Sequence, residues 1–150
     1  MLPPSFRIET PSDWERYAQI LAGELQPGVI VGLSGPLGAG KTTFTQALAK
    51  ILGAQGEPRS PTFSLMRTYA LTSHPSLRRL IHIDAYRIEK SSDLLAMNLE
   101  EELAEPGTIL VIEWPENILS WLERQRTYHL LTISLEENDV RTISTQEKKR

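Results

Sequence analysis

The sequence predicts an α/β fold in which helices pack on both faces of a mixed, partly parallel sheet. Three observations carry this. Two runs, Val29–Leu33 and Thr108–Glu113, are almost continuously apolar, as strands buried on both faces are. Two segments, 10–25 and 41–52, repeat apolar residues at helical spacing. Between the first apolar run and the second helical segment lies a glycine-rich turn, Gly35-Pro-Leu-Gly-Ala-Gly-Lys-Thr42.

In chain order, Phe6–Glu9 reads as a short edge strand. Thr10-Pro11-Ser12-Asp13 then spells a helix start: a cap, proline at the first helical position, and an acid three residues after the cap. Trp14, Tyr17, Ala18, Leu21, Ala22 and Leu25 recur on one face, and Pro27-Gly28 ends that helix. This aromatic stripe reads as core packing rather than a ligand box. After the glycine-rich turn, Phe44, Leu48, Ile51 and Leu52 define a second helix with Gly53 as its cap.

Residues 54–63 carry Pro58 and Pro61 and are expected to be irregular. Residues 64–71 and 79–84 read as a hairpin around the His74-Pro75 turn. A weaker helical region follows from 91 to 103, stopped by Pro106-Gly107. Residues 118–122 read as a short helix. Tyr128–Leu135 alternates as a strand, with 140–145 as its hairpin partner. Residues 146–150 are expected to be a flexible tail of a one-domain chain.

Composition limits the function classes. Of the 150 residues, 40% are hydrophobic and 23% charged, with a net charge of −3. Such a balance argues against the chain gripping nucleic acid alone. There is no cysteine, so disulfide and thiolate chemistry are excluded. No apolar run is long enough to span a membrane, and the first residues lack a signal core; a cytoplasmic protein is expected. His74, His82 and His129 are dispersed along the chain and suggest no zinc site.

Gly35–Thr42 fits the phosphate-binding pattern Gly-x-x-x-x-Gly-Lys-[Ser/Thr], in its required context of strand before and helix after. Glycines let the backbone curl so that successive N–H groups face one point. The helix N-terminus adds unpaired amides and its positive dipole end. Lys41 supplies a charge for β- and γ-phosphates, and the Thr42 hydroxyl can ligate Mg²⁺. The candidate nucleotide-binding residues are therefore Gly35, Pro36, Leu37, Gly38, Ala39, Gly40, Lys41, Thr42 and Thr43. The fold class sharpens to a P-loop NTPase-like three-layer fold.

Phosphoryl transfer also needs an acid for the metal and a group to orient the nucleophile. Asp84 and Glu113 each follow an apolar strand, where such acids sit in open α/β sheets. Thr62, in a proline-braced loop, can be read as a switch threonine or as a plain solvated residue. His82 reads as a satisfied histidine. Arg87 suits either a phosphate or a neighbouring acid. Trp114 is either a ring beside the metal site or a core or interface tryptophan. No Asn-Lys-x-Asp guanine-reading motif is present, which counts against a regulatory GTPase, and no arginine-rich lid segment favours a nucleotide kinase.

Four motifs occur together in order: Gly35–Thr43, Ser60-Pro-Thr-Phe63, His82-Ile-Asp-Ala-Tyr-Arg87 and Ile112-Glu-Trp-Pro115. In this combination the chain resembles the TsaE (YjeE) family, small ATPases of bacterial tRNA threonylcarbamoyladenosine modification. The resemblance spans nearly the whole chain and is looser after Leu122. It implies ATP and Mg²⁺ as cofactors, slow ATP hydrolysis alone, and work with TsaD and TsaB next to the tRNA anticodon. The tRNA would be met through those partners. It also implies metal ligation by Thr42 and Glu113, a switch role for Thr62, a water- or metal-positioning role for Asp84, and Trp114 near the nucleotide. The catalytic candidates are Lys41, Thr62, Asp84 and Glu113. Two rival readings are a small-molecule kinase using the same loop and a non-hydrolysing nucleotide-dependent scaffold.

Overall fold

A computed structural model describes residues 2–59, 66–88 and 98–149. Eight strands form one sheet: β1 (Ser5–Ile8), β2 (Ile30–Ser34), β3 (Ala54–Arg59), β4 (Met66–Leu71), β5 (Arg79–Asp84), β6 (Thr108–Glu113), β7 (Thr127–Leu135) and β8 (Arg141–Lys149). Their order across the sheet is β1-β8-β7-β2-β6-β5-β4-β3. The central four, β7, β2, β6 and β5, run parallel. Antiparallel strands flank them on both sides. The sheet is thus mixed and partly parallel, as the two continuous apolar runs predict.

Helices α1 (Pro11–Glu24) and α2 (Lys41–Ile51) cover one face. Tyr17, Leu21, Phe44 and Leu48 meet Val31, Leu33, Val111 and Leu131 there. The other face carries α3 (Leu99–Ala104), a 3₁₀ turn (Pro115–Ile118) and α4 (Leu119–Leu122). On it Ile30, Ile83, Leu110 and Ile112 pack against Leu99, Ile118, Trp121 and Leu122. Alternate residues of β2 and β6 therefore feed two separate cores, and this explains why polar residues stand only at their ends. No helix among the described residues is long and apolar enough to cross a membrane.

The helix signals are realised. The Asp13 carboxylate accepts hydrogen bonds at 2.9 Å from the backbone N–H groups of Glu9 and Thr10, closing the start of α1. Trp14 is buried, with its ring centroid 6.3 Å from that of Phe44, so the aromatic stripe of α1 is core.

Two expectations are corrected. Residues 54–59, expected to be irregular, form β3 and pair with β4 through a register shift between Gln55 and Arg59. β3 is the outermost strand, where Pro58 removes no ladder donor from a second neighbour. Residues 146–149, expected within a flexible tail, continue β8, with Thr127 opposite Lys149. The expected strand start at 64–65 and the first part of the 91–103 helix lie outside the described residues; the visible helix there is Leu99–Ala104.

Candidate nucleotide site

The glycine-rich turn emerges from the carboxyl end of β2 and enters α2. Gly35 (φ 152°) passes so close to β7 that a Cβ would lie 2.6 Å from the Ile133 carbonyl. Gly40 (φ 111°) caps α2, and a Cβ there would overlap the Trp14 ring. Both positions need glycine for backbone sign and for space. Pro36, Leu37 and Gly38 are exposed at the tip, while Ala39 is buried beneath them. Lys41, Thr42 and Thr43 form the first turn of α2, whose amides have no intrahelical acceptor.

Lys41 is buried, and its ammonium donates to the carbonyls of Gly35 (2.5 Å) and Pro36 (2.9 Å). It also lies 4.0 Å from the centroid of the Trp114 ring. Burial holds its pKa below the usual lysine value, against the opposing pull of the Glu113, Glu116 and Asp84 carboxylates. Trp114 adopts a left-handed backbone (φ 62°) and packs on Tyr86, ring centroids 5.0 Å apart. That turn of the chain directly after β6 brings the indole over the lysine.

Glu113, at the end of β6, is 3% exposed. The Thr42 hydroxyl donates to its Oε1 at 3.1 Å, and His82 Nε2 donates to its Oε2 at 2.5 Å. A buried carboxylate and a hydroxyl that meet at the foot of the glycine-rich turn are hard oxygen donors. They suit a small divalent cation that takes its remaining ligands from phosphates and water. Asp84 lies directly across from Glu113 in the β5–β6 register, exposed, with its Oδ1 accepting from the Tyr86 amide at 3.1 Å. Thr42, His82, Asp84 and Glu113 line one cleft of about 360 Å³, together with Arg67, Tyr86 and Arg87. A larger hollow, about 1010 Å³, lies beside Gly28 and Thr127, at the starts of β2 and β7. None of the candidate site residues lines it.

The sequence-derived residues Lys41, Thr42, Asp84, Glu113 and Trp114 therefore converge, and Thr62 lies outside the described residues. Two residues of the cleft, Arg67 and Tyr86, were not weighed from the sequence. His82 was read as satisfied, and its partner is Glu113 itself. Arg67 reaches the cleft because the antiparallel register sets it opposite His82. Only strand pairing reveals that, and no local motif encodes it.

The family model for the threonylcarbamoyl adenosine biosynthesis protein TsaE matches residues 8–145. The chain belongs to the TsaE family. Among curated TsaE proteins, that of Streptomyces coelicolor is 39% identical over 71% of this chain and 70% of its own length. That of Treponema pallidum is 37% identical over 82% of this chain and 84% of its own. The crystal structure of Bacillus subtilis YdiB superposes with a TM-score of 0.71 at 27% identity, covering 97% of this chain and 85% of that one. Membership in TsaE associates the chain with the biosynthesis of threonylcarbamoyladenosine in tRNA. The matched span contains β2, α2, β5 and β6, and so every described candidate site residue.

Proposed function

We propose that this TsaE protein is a Mg²⁺-dependent ATPase that acts with TsaD and TsaB in threonylcarbamoyladenosine modification of tRNA next to the anticodon. The observation that carries the reading is the contact of Thr42 with buried Glu113 at the foot of the phosphate loop. The loop amides and the start of α2 bind the phosphate chain. Lys41 exchanges the Gly35 and Pro36 carbonyls for phosphate oxygens, a short movement for an ammonium already at the loop. Thr42 and Glu113 would hold Mg²⁺, which would supply charge neutralisation at the phosphates. Asp84, at the cleft mouth, orients the attacking water. Trp114 walls the lysine side and excludes solvent from it. The hydrolysis serves turnover of the assembly, and tRNA is met through the partner proteins, in keeping with a net charge of −3.

The test combines titration calorimetry with a phosphate-release assay on the full chain. Lys41→Ala is expected to abolish MgATP binding. Glu113→Ala and Asp84→Ala are expected to bind ATP but to turn over about a hundredfold or more slowly, the scale of a lost group that stabilises or positions the reacting atoms. Addition of TsaD and TsaB is expected to change the rate. ADP formation that requires a small-molecule acceptor would assign the loop to a kinase instead. Wild-type turnover in both acid variants would remove them from the chemistry.

A further inference from the structure

Arg141 opens β8, 102 residues after Ala39 of the phosphate loop, yet its guanidinium ends on that loop. Nε donates to the Ala39 carbonyl at 3.0 Å, and Nη2 to the Gly38 carbonyl at 3.3 Å. Nη1 donates to the Asp139 carbonyl at 2.9 Å, which fixes the plane of the fork. The strand carrying it is itself held on both sides, with Leu135 of β7 and Ile8 of β1 opposite Arg141.

The geometry has a consequence for the amides. In a trans peptide the C=O and N–H point in opposite directions. An Ala39 carbonyl held outward against Arg141 therefore turns the Gly40 N–H away from β8, into the curl of the loop. Gly38 (φ 78°) and Gly40 (φ 111°) flank this unit. Glycines permit the curl but do not enforce it, since they populate both signs of φ about equally. A planar fork on a doubly paired strand supplies what the glycines lack.

We propose that Arg141 is a positioning residue of the nucleotide site: its bond to the Gly38 carbonyl steadies the turn that the Ala39 N–H closes on the Pro36 carbonyl at 3.1 Å, and its bond to the Ala39 carbonyl aims the Gly40 N–H at phosphate. The proposal rests on the reading of this loop as a triphosphate site. Its effect falls on affinity and not on the chemical step, because Arg141 touches only the outer side of the loop.

The experiment compares the full-length wild type with Arg141→Ala, Arg141→Lys and Thr142→Ala. Thr142 is the adjacent β8 residue, and its hydroxyl bonds to Glu136 and not to the loop. Calorimetry reads the MgATP Kd, phosphate release separates KM from kcat, and amide exchange reads residues 38–41 against β2. Arg141→Ala is expected to raise Kd and KM about tenfold or more, the scale of one lost charge-assisted hydrogen bond, with kcat within about twofold. Exchange at 38–41 is expected to quicken while β2 stays protected. Arg141→Lys, a point charge without the fork, is expected to fall between. Thr142→Ala is expected to match wild type.

Wild-type Kd and loop exchange in Arg141→Ala would overturn the proposal, as would an equal loss of affinity in Thr142→Ala. If Arg141→Ala does not fold, Arg141→Lys decides: a folded protein with wild-type Kd and loop exchange overturns it. If wild type itself binds no MgATP, the ATPase reading fails, and loop exchange still judges the clamp on its own.

Discussion

The Lys41 ammonium is satisfied by two loop carbonyls and an indole face. Glu113 is treated likewise, held between the Thr42 hydroxyl and the His82 imidazole. At this scale Lys41 and Thr42 were legible because a curled anion cradle tolerates few spellings. Glu113 and Asp84 were legible as acids at strand ends. The tie between His82 and Glu113 was not, because a histidine on a strand gives no sign of what faces it on the next. That tie carries a prediction. On the proposed reading His82 holds the carboxylate that would ligate Mg²⁺, a role whose loss typically costs 10- to 100-fold in metal affinity, so His82→Ala is expected to raise the Mg²⁺ concentration for half-maximal turnover by about tenfold. The rate at saturating Mg²⁺ is expected to recover most of the way. A Mg²⁺ titration that overlays the wild type would exclude this role for His82.

Among the elements, α1 and the central strands were legible, because caps and continuous apolar runs are local signals. β3 was not. Two prolines within four residues argue against a strand, and the argument fails only at a sheet edge, whose position depends on the strand order. The α1 start yields a pH prediction. Hydrogen bonds from the Glu9 and Thr10 amides hold the Asp13 carboxyl below its ordinary pKa of 3.8. A carboxylate depressed in the folded state contributes stability that is present above its unfolded pKa and lost as pH falls through the folded one. The stability gap between wild type and Asp13→Asn is therefore expected to be constant above about pH 5 and to shrink below about pH 4. Urea midpoints by circular dichroism across that range check it. A gap that stays constant down to pH 2.5 would show that this carboxyl titrates alike in both states.

For the whole molecule, the parallel centre explains why distant residues meet. β2, β5 and β6 end at the same edge of the sheet, so the loop, Asp84 and Glu113 gather there without any element being specialised to bring them together. β7 and β8 complete the edge by seating Ile133 against Gly35 and Arg141 against Ala39. The hairpin of β7 with the first part of β8 was legible; its continuation over 146–149 was not, since a charged segment near a terminus reads as tail as readily as strand. The distinction is measurable. In the structure Gln146, Glu147, Lys148 and Lys149 face Leu130, His129, Tyr128 and Thr127 across an antiparallel ladder. Deleting residues 146–150 removes about four ladder hydrogen bonds, each worth a net ~0.5–1.5 kcal/mol, so a loss of about 2 kcal/mol or more is expected in urea unfolding. A solvated tail would cost nothing. Because Arg141 lies five residues upstream of the cut on the same strand, the truncated protein is also expected to bind MgATP more weakly, and the affinity loss should track that of Arg141→Ala in direction but not in size. An unchanged urea midpoint would return residues 146–149 to the status of a tail and would leave β7 as the strand that bounds this side of the site.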